Sequence, residues 1–366
     1  MKPLKVVISG GGTGGHIFPA IAIADWLSSQ ECPTEILFVG AKARMEMERV
    51  PRAGYPIEGL WISGIQRKLS LKNLLLPLKI MSSFAQSHRI LRRFKPHIAI
   101  GTGGYASGPL LYVAGQRGIP TLLQEQNSYP GITNRWLAGR AQKICVAYPN
   151  MERYFPISKL ILTGNPIRQD LQHISISQQE AQRSFDLEQR PTVVLLGGSL
   201  GSRRMNELMS ATLEKFVDAG YNVLWQCGKL YADQYLQKHG ALLGSRVFIA
   251  PFIHDMPGAL AAASVVISRA GATTLSELAA AAKPAILVPS PNVAEDHQTK
   301  NAQSLANDNA ALVFKESGST EEFYTAVEEL LEQPQRLENM AQNIKRRALP
   351  EATRHIGEEI LNLVRP

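Results

Sequence analysis

Residues 6–16 have the sequence Val6-Val7-Ile8-Ser9-Gly10-Gly11-Gly12-Thr13-Gly14-Gly15-His16, an apolar run followed by a glycine-rich turn. Its β-branched first part is typical of a buried strand, and the apolar pattern from Ile17 to Leu27 predicts a helix after the glycines. A glycine turn between a strand and a helix start binds anions, because free backbone N–H groups and the positive end of the helix dipole point the same way. We therefore predict a diphosphate-binding turn at this position.

The spacing Gly10-x-Gly12-x-x-Gly15 also fits the dinucleotide fingerprint, which requires an acidic residue at the end of the second strand. That strand, predicted at Glu35 to Val39, runs into Gly40-Ala41-Lys42-Ala43-Arg44 and offers no carboxylate there. The NAD interpretation is weakened, while an NADP-dependent oxidoreductase with Lys42 and Arg44 on the 2′-phosphate stays open. His16 is not part of the fingerprint. Its imidazole suggests proton transfer beside bound phosphates, or a polar cap on the helix start.

Length and composition set the broad class. A chain of 366 residues exceeds one typical core and predicts two domains. Three cysteines, far apart and odd in number, indicate neither a disulfide framework nor a zinc site, and we expect no metal and no cofactor. The apolar run that ends at Ser9 is too short for a signal peptide or a membrane span. We predict a protein that stays inside the cell.

Apolar strand-like runs alternate with helical patterns along the chain, which predicts parallel sheets with crossover helices. We expect strands at Lys5 to Ser9, Glu35 to Val39, Ile57 to Ile62, His97 to Gly101, Thr121 to Gln124, Lys143 to Ala147, Leu160 to Thr163, Thr192 to Leu196, Asn222 to Gln226, Val247 to Ala250, Val265 to Ser268, Ala285 to Val288 and Ala311 to Phe314.

The strand and glycine pattern starts twice. Residues 192–202 again place a glycine turn, Gly197-Gly198-Ser199-Leu200-Gly201, between an apolar strand and a helix. Between the two halves, residues 163–168 contain the Gly and Pro of a hinge. The sequence thus predicts two Rossmann-like units, with the helical pattern Glu351 to Val364 packing back on the first one.

Three further segments place polar residues at strand ends, where open parallel sheets bind ligands. Gly101 to Pro109 is either a loop around a second phosphorylated ligand or a tight turn, and Gln124 to Gly131 is either a site for sugar hydroxyls or ordinary turn chemistry. In Ser268 to Glu277, the spacing Thr274-x-x-Glu277 fits a capping box, although a carboxylate there is equally suited to a ribose diol.

The basic residues lie mainly in the first half. Residues 1–163 contain 20 Lys and Arg against 8 Asp and Glu, and no acidic residue occurs between Gly59 and Gln124. In the segment Arg67 to Lys95, aliphatic side chains alternate with cations, among them Leu75 and the basic residues Lys72, Lys79 and Arg89. This mixture favours docking on an anionic membrane surface. Nucleic acid is the less favoured partner because stacking aromatics are scarce, and a solvated basic face on a core helix is the structural alternative.

Seven motifs occur in order along the chain: Gly-Gly-Thr-Gly-Gly-His (11–16), Gly-Gly-Tyr-x-Ser-Gly-Pro (103–109), Glu-Gln-Asn (125–127), Gly-Asn-Pro-Ile-Arg (164–168), Gly-Gly-Ser-x-Gly (197–201), Arg-x-Gly-Ala-x-Thr-x-Ser-Glu (269–277) and Asp-His-Gln-Thr-Lys-Asn-Ala (296–302). In these motifs the chain resembles the MurG family of cell-wall glycosyltransferases, which belong to the GT-B fold class. The resemblance is specific because all seven motifs occur in the same order.

The resemblance implies an α/β architecture of two Rossmann-like domains facing a cleft. The expected domains are residues 1–163, with the last helix of about 351–366, for the acceptor and the membrane, and residues 164–350 for the donor. The implied reaction is the inverting transfer of N-acetylglucosamine from UDP-GlcNAc to the C4 hydroxyl of undecaprenyl-diphosphoryl-N-acetylmuramoyl-pentapeptide, which converts lipid I to lipid II. The implied location is the cytoplasmic face of the inner membrane, as a peripheral protein.

The resemblance also implies roles for individual residues. An inverting transfer needs a base for the acceptor hydroxyl, and on this chemical ground His16 is the candidate base, with Glu125 as its rival or partner. The residues implied to bind UDP-GlcNAc are Thr13, Gly14, Gly15, Asn127, Arg168, Ser199, Ile253, Ala272, Thr273, Thr274, Leu275, Ser276, Glu277 and Gln298, with Glu277 on the ribose and the Ile253 backbone near the uracil. Those expected at the acceptor diphosphate are Gly103, Gly104, Tyr105 and Ser107.

The sequence departs from the family pattern at Gln124, where many members have His. A role of that His therefore does not transfer to this chain. A non-catalytic nucleotide-sugar-binding protein also stays open as an alternative, and a donor-turnover assay separates it from the transferase.

Overall fold

The computed structural model of the protein describes residues 3–64, 75–171 and 174–364. The chain forms two compact units. Unit 1 comprises Met1–Ile167 and Leu349–Pro366, and unit 2 comprises Arg168–Ala348. The sequence predicts the boundary after Thr163, whereas the first segment of unit 1 ends at Ile167.

Unit 1 contains a parallel sheet with the strand order β3-β2-β1-β4-β5-β6-β7. Its strands are β1 (Leu4–Gly10), β2 (Thr34–Ala41), β3 (Ile57–Leu60), β4 (Ile98–Gly103), β5 (Thr121–Glu125), β6 (Lys143–Val146) and β7 (Leu160–Leu162). Its helices are α1 (Gly14–Ser28), α2 (Glu46–Arg52), α3 (Leu76–Phe94), α4 (Ser107–Gln116), α5 (Ile132–Leu137) and α14 (Ala352–Val364).

Strand β1 shows why the sheet of unit 1 is covered on both faces. Val6 and Ile8 lie in the apolar core that α1 and α14 complete, and Val7 lies in the opposite core with residues of α3 and α4. All three side chains are fully buried. A strand that is apolar on both faces is typical of a parallel sheet with crossover helices on each side.

The last helix is part of the core of unit 1. Ile356 and Ile360 of α14 are fully buried in the cluster that contains Val6 and Ile8. The two helices α1 and α14 approach closely at Gly357, where an added Cβ would lie 2.7 Å from an atom of the Trp26 ring. The backbone of α14 therefore packs directly on the indole.

Unit 2 contains a second parallel sheet, with the strand order β10-β9-β8-β11-β12-β13. Its strands are β8 (Thr192–Leu196), β9 (Asn222–Gln226), β10 (Val247–Ala250), β11 (Val265–Ser268), β12 (Ala285–Leu287) and β13 (Leu312–Val313). Its helices are α6 (Gln178–Ser184), α7 (Arg203–Asp218), α8 (Ala232–His239), α9 (Met256–Ala262), α10 (Ala272–Ala280), α11 (His297–Ala306), α12 (Thr320–Leu331) and α13 (Pro334–Lys345).

The sheet of unit 2 is also covered on both faces. Val193 and Leu195 of β8 pack with α7, α8 and α12, and Val194 packs with α9 and α10 on the other face. In each unit, the strand that precedes the glycine turn, β1 or β8, lies in the interior of the sheet. It pairs with the strand at which the strand order reverses, β4 or β11. Ligands bind at this switch point in open α/β sheets.

The secondary-structure prediction is confirmed. Each predicted strand is present, with ends that lie within two residues of the predicted ones. The described parts of the chain contain no helix with the length and apolarity that a bilayer crossing requires.

Candidate active site

Three loops of unit 1 lie side by side because they follow the neighbouring strands β1, β4 and β5. The first is the glycine turn before α1, the second follows β4, and the third follows β5. The Gly11 N–H donates to the Gly103 carbonyl at 3.3 Å and joins the first two loops. Gly104, with φ +92°, brings its backbone so close that an added Cβ would lie 3.0 Å from the Gly11 nitrogen. Only glycine permits this packing of backbone on backbone.

A buried carboxylate holds the first glycine turn. Glu46, at the start of α2, has no solvent exposure. Its Oε2 accepts from the Gly12 N–H and its Oε1 from the Ala41 N–H, each at 3.0 Å. An acid thus does lie after β2, beyond Arg44, but it binds backbone rather than facing a ribose. Sequence reasoning missed Glu46, and its position just after the second strand is the signal that points to it.

His16 is the third residue of α1, and its side chain does not cap the helix. The N-cap residue is Thr13, whose side chain makes no capping hydrogen bond. The imidazole is partly exposed, and its Nδ1 lies 3.0 Å from Oε1 of Gln126. The hydroxyl of Thr102 donates to the His16 carbonyl at 2.8 Å. The polar-cap interpretation is therefore wrong for His16.

Glu125, at the end of β5, is 1% exposed and accepts four hydrogen bonds. Its Oε1 accepts from the backbone and side-chain amides of Asn127, at 3.0 and 3.2 Å. Its Oε2 accepts from the Gly131 N–H at 3.1 Å and from Nδ2 of Asn134 at 2.9 Å. The Glu125 carboxylate therefore holds the third loop in its conformation.

The residues expected at the acceptor diphosphate lie in the second loop. Gly103 and Gly104 have positive φ angles, and Tyr105 is 46% exposed. Ser107 begins α4, is fully buried, and donates its hydroxyl to the Gly104 carbonyl at 2.9 Å. Tyr105 is accessible to a ligand, whereas Ser107 supports the loop from inside.

The residues of unit 1 expected to reach the donor are exposed or partly exposed. Thr13 is exposed, and Gly14, Gly15 and Asn127 are partly buried. Gly14 and Gly15 form the first turn of α1, so their N–H groups lie at the positive end of the helix dipole.

In unit 2, the second glycine turn connects β8 to α7. Ser199 is exposed on this turn, and its carbonyl accepts from the Lys229 N–H at 3.1 Å. A cavity of about 510 Å³ opens beside the turn, at the carboxyl ends of the strands. Its lining includes Gly197, Gly201, Ser202, Arg269, Gln298 and Glu316.

Arg269 ties together three strand ends around this cavity. Its guanidinium donates to the Ser202 hydroxyl at 2.7 Å, to the Val288 carbonyl at 3.0 Å and to the Glu316 carboxylate at 2.5 Å. These partners follow β8, β12 and β13. Sequence reasoning did not assign Arg269 or Glu316 to the site, although Arg269 opens one of the quoted motifs.

Helix α10 begins at Ala272, with Gly271 as N-cap and no side-chain cap. Thr274 and Glu277 therefore lie too deep in the helix to form a capping box, and that interpretation is wrong. Ala272 and Leu275 are buried, and Thr273, Thr274 and Ser276 are partly buried. The buried Thr273 hydroxyl has no hydrogen-bond partner among the described residues.

Glu277 points toward Arg168, with 3.5 Å between its Oε1 and the arginine Nε. Its side chain is 18% exposed, and that of Arg168 is 43% exposed. Burial raises the pKa of Glu277 to about 7; Arg168 opposes this shift, and Asp170 adds to it. The carboxyl group is therefore only partly ionised near neutral pH.

Two further residues expected at the sugar donor, Ile253 and Gln298, take part in hydrogen bonds of amide side chains. The buried Ile253 donates its N–H to Oε1 of Gln226 at 2.9 Å, so a uracil contact would use the Ile253 carbonyl. Gln298, in the first turn of α11, accepts from the Ser290 N–H at 2.9 Å through its Oε1. Gln226 was not predicted, and its place at the end of β9 is the available signal.

The expected membrane segment is described from Leu75 onward, so Lys72 lies outside the described residues. Helix α3 buries Ser83 and Ser87, whereas Leu78 and Met81 are 56% and 70% exposed. Leu75 is 46% exposed, and Arg89 is exposed further along the helix. Ile90 and Leu91, near the end of the helix, are buried in the core of unit 1. Helix α3 thus packs on the core near its end and exposes apolar side chains near its start.

Aromatic contacts extend this apolar surface from α3 to α5. The Phe84 ring meets the edge of Tyr112 at 5.4 Å, and Tyr112 stacks on Trp136 at 5.2 Å. Trp136 and Ile132 are 52% and 68% exposed. The Arg140 guanidinium lies 4.5 Å from the centre of the Tyr112 ring. Sequence reasoning missed the contribution of α5, because a short helix shows little periodicity.

Lys79 is less available than expected. Its Nζ donates to the Ser63 hydroxyl at 3.0 Å and lies 5.9 Å from the centre of the Trp61 ring.

Across residues 3–64, 75–171 and 174–364, no cluster of three or more His, Cys, Asp or Glu side chains has the arrangement of a metal site.

Comparison with known families matches both halves of the chain. Residues 6–146 match the glycosyltransferase family 28 N-terminal domain, and residues 192–356 match the glycosyltransferase family 28 C-terminal domain. The structure is similar to the crystal structure of Acinetobacter baumannii MurG, with a TM-score of 0.80 and 30% identity, over 98% of this chain and 100% of that one. This similarity confirms the predicted GT-B fold class of two Rossmann-like parallel-sheet domains.

Two curated relatives are similar over their full length. A protein of Flavobacterium psychrophilum is 51% identical over 100% of this chain and 99% of its own, and one of Christiangramia forsetii is 51% identical over 99% and 98%. Both are named UDP-N-acetylglucosamine–N-acetylmuramyl-(pentapeptide) pyrophosphoryl-undecaprenol N-acetylglucosamine transferase. This chain therefore belongs to glycosyltransferase family 28 and, within it, to the MurG family.

Proposed function

We propose that this protein transfers N-acetylglucosamine from UDP-GlcNAc to the C4 hydroxyl of undecaprenyl-diphosphoryl-N-acetylmuramoyl-pentapeptide, with inversion at the sugar. The product is lipid II, the disaccharide precursor of peptidoglycan. The observation that carries this proposal is the 51% identity, over the whole chain, to a relative named for this reaction.

Unit 2 supplies the donor-binding groups. The glycine turn with Ser199 faces the diphosphate, because its N–H groups and the start of α7 attract negative charge. Glu277, in its ionised form, accepts from the ribose hydroxyls. The nearby Arg168 lowers the pKa of Glu277 and so favours this ionised form. The orphaned hydroxyl of Thr273 gives α10 a polar group for the same ligand. Gln298 and the Ile253 carbonyl complete the donor set.

Unit 1 supplies the base. His16 takes the proton of the acceptor C4 hydroxyl, and the C4 oxygen forms a bond to the anomeric carbon of the donor. The bond from that carbon to the UDP oxygen breaks, and UDP leaves with the electron pair. Attack opposite to the leaving group inverts the configuration. A positioned base typically contributes about 10²- to 10⁴-fold in rate, and fixed dipoles at the leaving group often contribute more.

The acceptor is bound by unit 1. We assign its diphosphate to the second loop, where Gly103 and Gly104 expose backbone and Tyr105 extends into solvent. The undecaprenyl chain anchors this substrate in a membrane, so the enzyme must reach the bilayer surface. Leu75, the N-cap residue of α3, would enter the interface with Leu78 and Met81 of this helix and Trp136 of α5, and Arg89 would contact anionic headgroups. The protein then acts as a peripheral protein on the cytoplasmic face of the inner membrane.

The base assignment is tested with His16→Ala. We expect kcat to fall by about 10²- to 10⁴-fold, because the variant lacks the proton acceptor. The dissociation constant of UDP-GlcNAc, measured by calorimetry, should change little. A loss of donor affinity as large as the loss of turnover would identify His16 as a binding residue instead.

The membrane assignment is tested by sedimentation with vesicles that contain anionic phospholipid. Arg89→Glu should weaken binding by about fivefold or more, since a cation near such a surface contributes roughly 1 kcal/mol. Met81→Ser should weaken binding also to vesicles of neutral lipid. Lys345→Glu in α13 of unit 2 is the matched control and should bind as the wild type does. Equal binding by all three variants would contradict the assignment of this surface to membrane binding.

A further inference from the structure

Three buried amide side chains connect the core of unit 1 to His16. Asn165, Gln124 and Gln126 are 2%, 0% and 1% exposed. Nδ2 of Asn165 donates to the backbone carbonyl of Gln126 at 3.0 Å. Because a carbonyl only accepts, this contact fixes which end of the Asn165 amide is which. Its Oδ1 then accepts from Nε2 of Gln124, also at 3.0 Å.

The orientation passes from Gln124 to Gln126. With its Nε2 committed to Asn165, Gln124 presents Oε1 to Nε2 of Gln126. The same Nε2 of Gln126 donates to the Thr102 carbonyl at 2.8 Å and lies 3.2 Å from the Gln124 carbonyl. All of these partners are acceptors, so reversing the Gln126 amide would place oxygen against oxygen. The atom of Gln126 that faces His16 is therefore Oε1.

An amide oxygen accepts hydrogen bonds and never donates them, so the 3.0 Å contact requires a proton on Nδ1 of His16. The ring packs on Gly103, where an added Cβ would lie 2.7 Å from Nδ1. We infer that the amide chain Asn165–Gln124–Gln126 holds neutral His16 in the Nδ1–H tautomer and leaves Nε2 as its basic nitrogen. Gln126 is thus a positioning residue that acts through His16.

This inference rests on the proposed function only where it assigns Nε2 to the acceptor proton. It also accounts for Gln124, the position at which this chain departs from the family pattern. A primary amide has one accepting end and one donating end, so it transmits orientation from one neighbour to the next. The hydrogen bond made by one imidazole nitrogen sets the state of the other.

The tautomer is measured directly by NMR on the full-length wild-type protein with nitrogen-15-labelled histidine, at a pH where His16 is neutral. The His16 signals are assigned by their loss in His16→Asn. We expect a protonated Nδ1 and an unprotonated Nε2. A proton on Nε2, or an equal mixture of tautomers, would overturn the inference. Neutral histidine in water favours the Nε2–H form, so the expected result differs from that of an unconstrained side chain.

Gln126→Met removes the accepting oxygen and keeps the side-chain length. We expect His16 to shift toward the Nε2–H tautomer and kcat to fall by about tenfold or more, a part of what a positioned base supplies, with little change in donor affinity. Gln182→Met is the control: Gln182 is 3% exposed, and its Nε2 donates to the Arg190 carbonyl at 2.7 Å in unit 2. An unchanged tautomer in Gln126→Met would overturn the inference.

The NMR measurement of the tautomer and the turnover of His16→Ala distinguish this inference from the proposed function. If Gln126→Met does not fold, the wild-type spectrum still decides the tautomer. An Nδ1–H tautomer in an enzyme that keeps its turnover after His16→Ala would support the amide chain and contradict only the role of His16 as the base.

Discussion

Burial in unit 2 raises the pKa of Glu277 to about 7, so the charge of this side chain changes near neutral pH. In the proposed donor complex, the ribose hydroxyls donate to the ionised carboxylate, so the affinity for UDP-GlcNAc should fall as the pH decreases from 8 to 6. Calorimetric titrations across this range measure the change. In Glu277→Gln, donor binding should be weaker and nearly independent of pH in this window. The same pH dependence in both proteins would assign it to another group.

The free energy of unfolding should depend on the same pKa. It should decrease as the pH rises, whereas the affinity for UDP-GlcNAc should increase. A carboxyl group whose folded pKa lies above its unfolded value destabilises the fold once it must ionise, so its penalty is absent below about pH 4.5 and grows as the pH rises through about 7. Glu277→Gln should therefore stabilise unit 2 by about 1–3 kcal/mol at pH 8 and by much less at pH 4. Denaturant unfolding at the two pH values measures the difference, and an equal effect at both would contradict the raised pKa.

Single residues differ in how far the sequence could predict them. His16 and Glu277 stand in recognisable motifs at a helix start, and the sequence pointed to both. Arg168 was also expected at the donor, whereas the contact of Gln126 with His16, 110 positions away in the chain, is visible only in the folded structure. Residue types and spacing show which groups are present at a strand end, but the direction of each hydrogen bond depends on packing.

At the scale of elements, the first glycine turn depends on Glu46 of α2. Glu46→Gln would turn one accepting oxygen into an N–H₂ donor that faces a backbone N–H, which leaves buried donors unpaired. We expect a loss of about 1–3 kcal/mol in unfolding free energy and a lower kcat. Thermal and denaturant unfolding measure the first effect.

Glu48→Gln is the matched control, because Glu48 lies on the same helix but pairs with Arg52 at the surface, where it is 62% exposed. An exposed pair of this kind contributes at most about 1 kcal/mol. Equal stability of Glu46→Gln and Glu48→Gln would show that the turn does not need the buried carboxylate.

Elements were easier to predict from the sequence than the way they pack. Strands such as β1 and β8 are apolar on both faces and are bounded by glycine, so their period and their ends are visible in the sequence. Helix α3 is different, since it buries Ser83 and exposes Met81. Its amphipathic pattern alone does not tell which face meets the sheet. Glu46 was missed because the sequence does not show that α2 returns to the first glycine turn.

At the scale of the whole molecule, unit 1 is built from two distant parts of the chain. Ile360 of α14 is fully buried in the core with Val6 and Ile8. Ile360→Ala should lower the stability of unit 1 by about 2–5 kcal/mol, because it leaves a cavity in this core. Denaturant unfolding, followed by a probe in unit 1, measures the loss.

Asn362→Ala changes an exposed residue of the same helix and should have little effect. The affinity for UDP-GlcNAc should stay the same in both variants under native conditions, since α14 carries none of the residues assigned to the donor in either unit. Equal stability of the two variants would contradict the packing of α14 in the core of unit 1.

The proposed reaction is the transfer of N-acetylglucosamine to a lipid-linked acceptor. The most direct measurement is the release of UDP from UDP-GlcNAc by the full-length protein, with and without a prenyl-diphosphoryl-N-acetylmuramoyl-pentapeptide, together with mass analysis of the product. We predict UDP release that depends on the acceptor and a product that gains one N-acetylglucosamine. Binding of UDP-GlcNAc without acceptor-dependent release or a disaccharide product would contradict the proposed reaction.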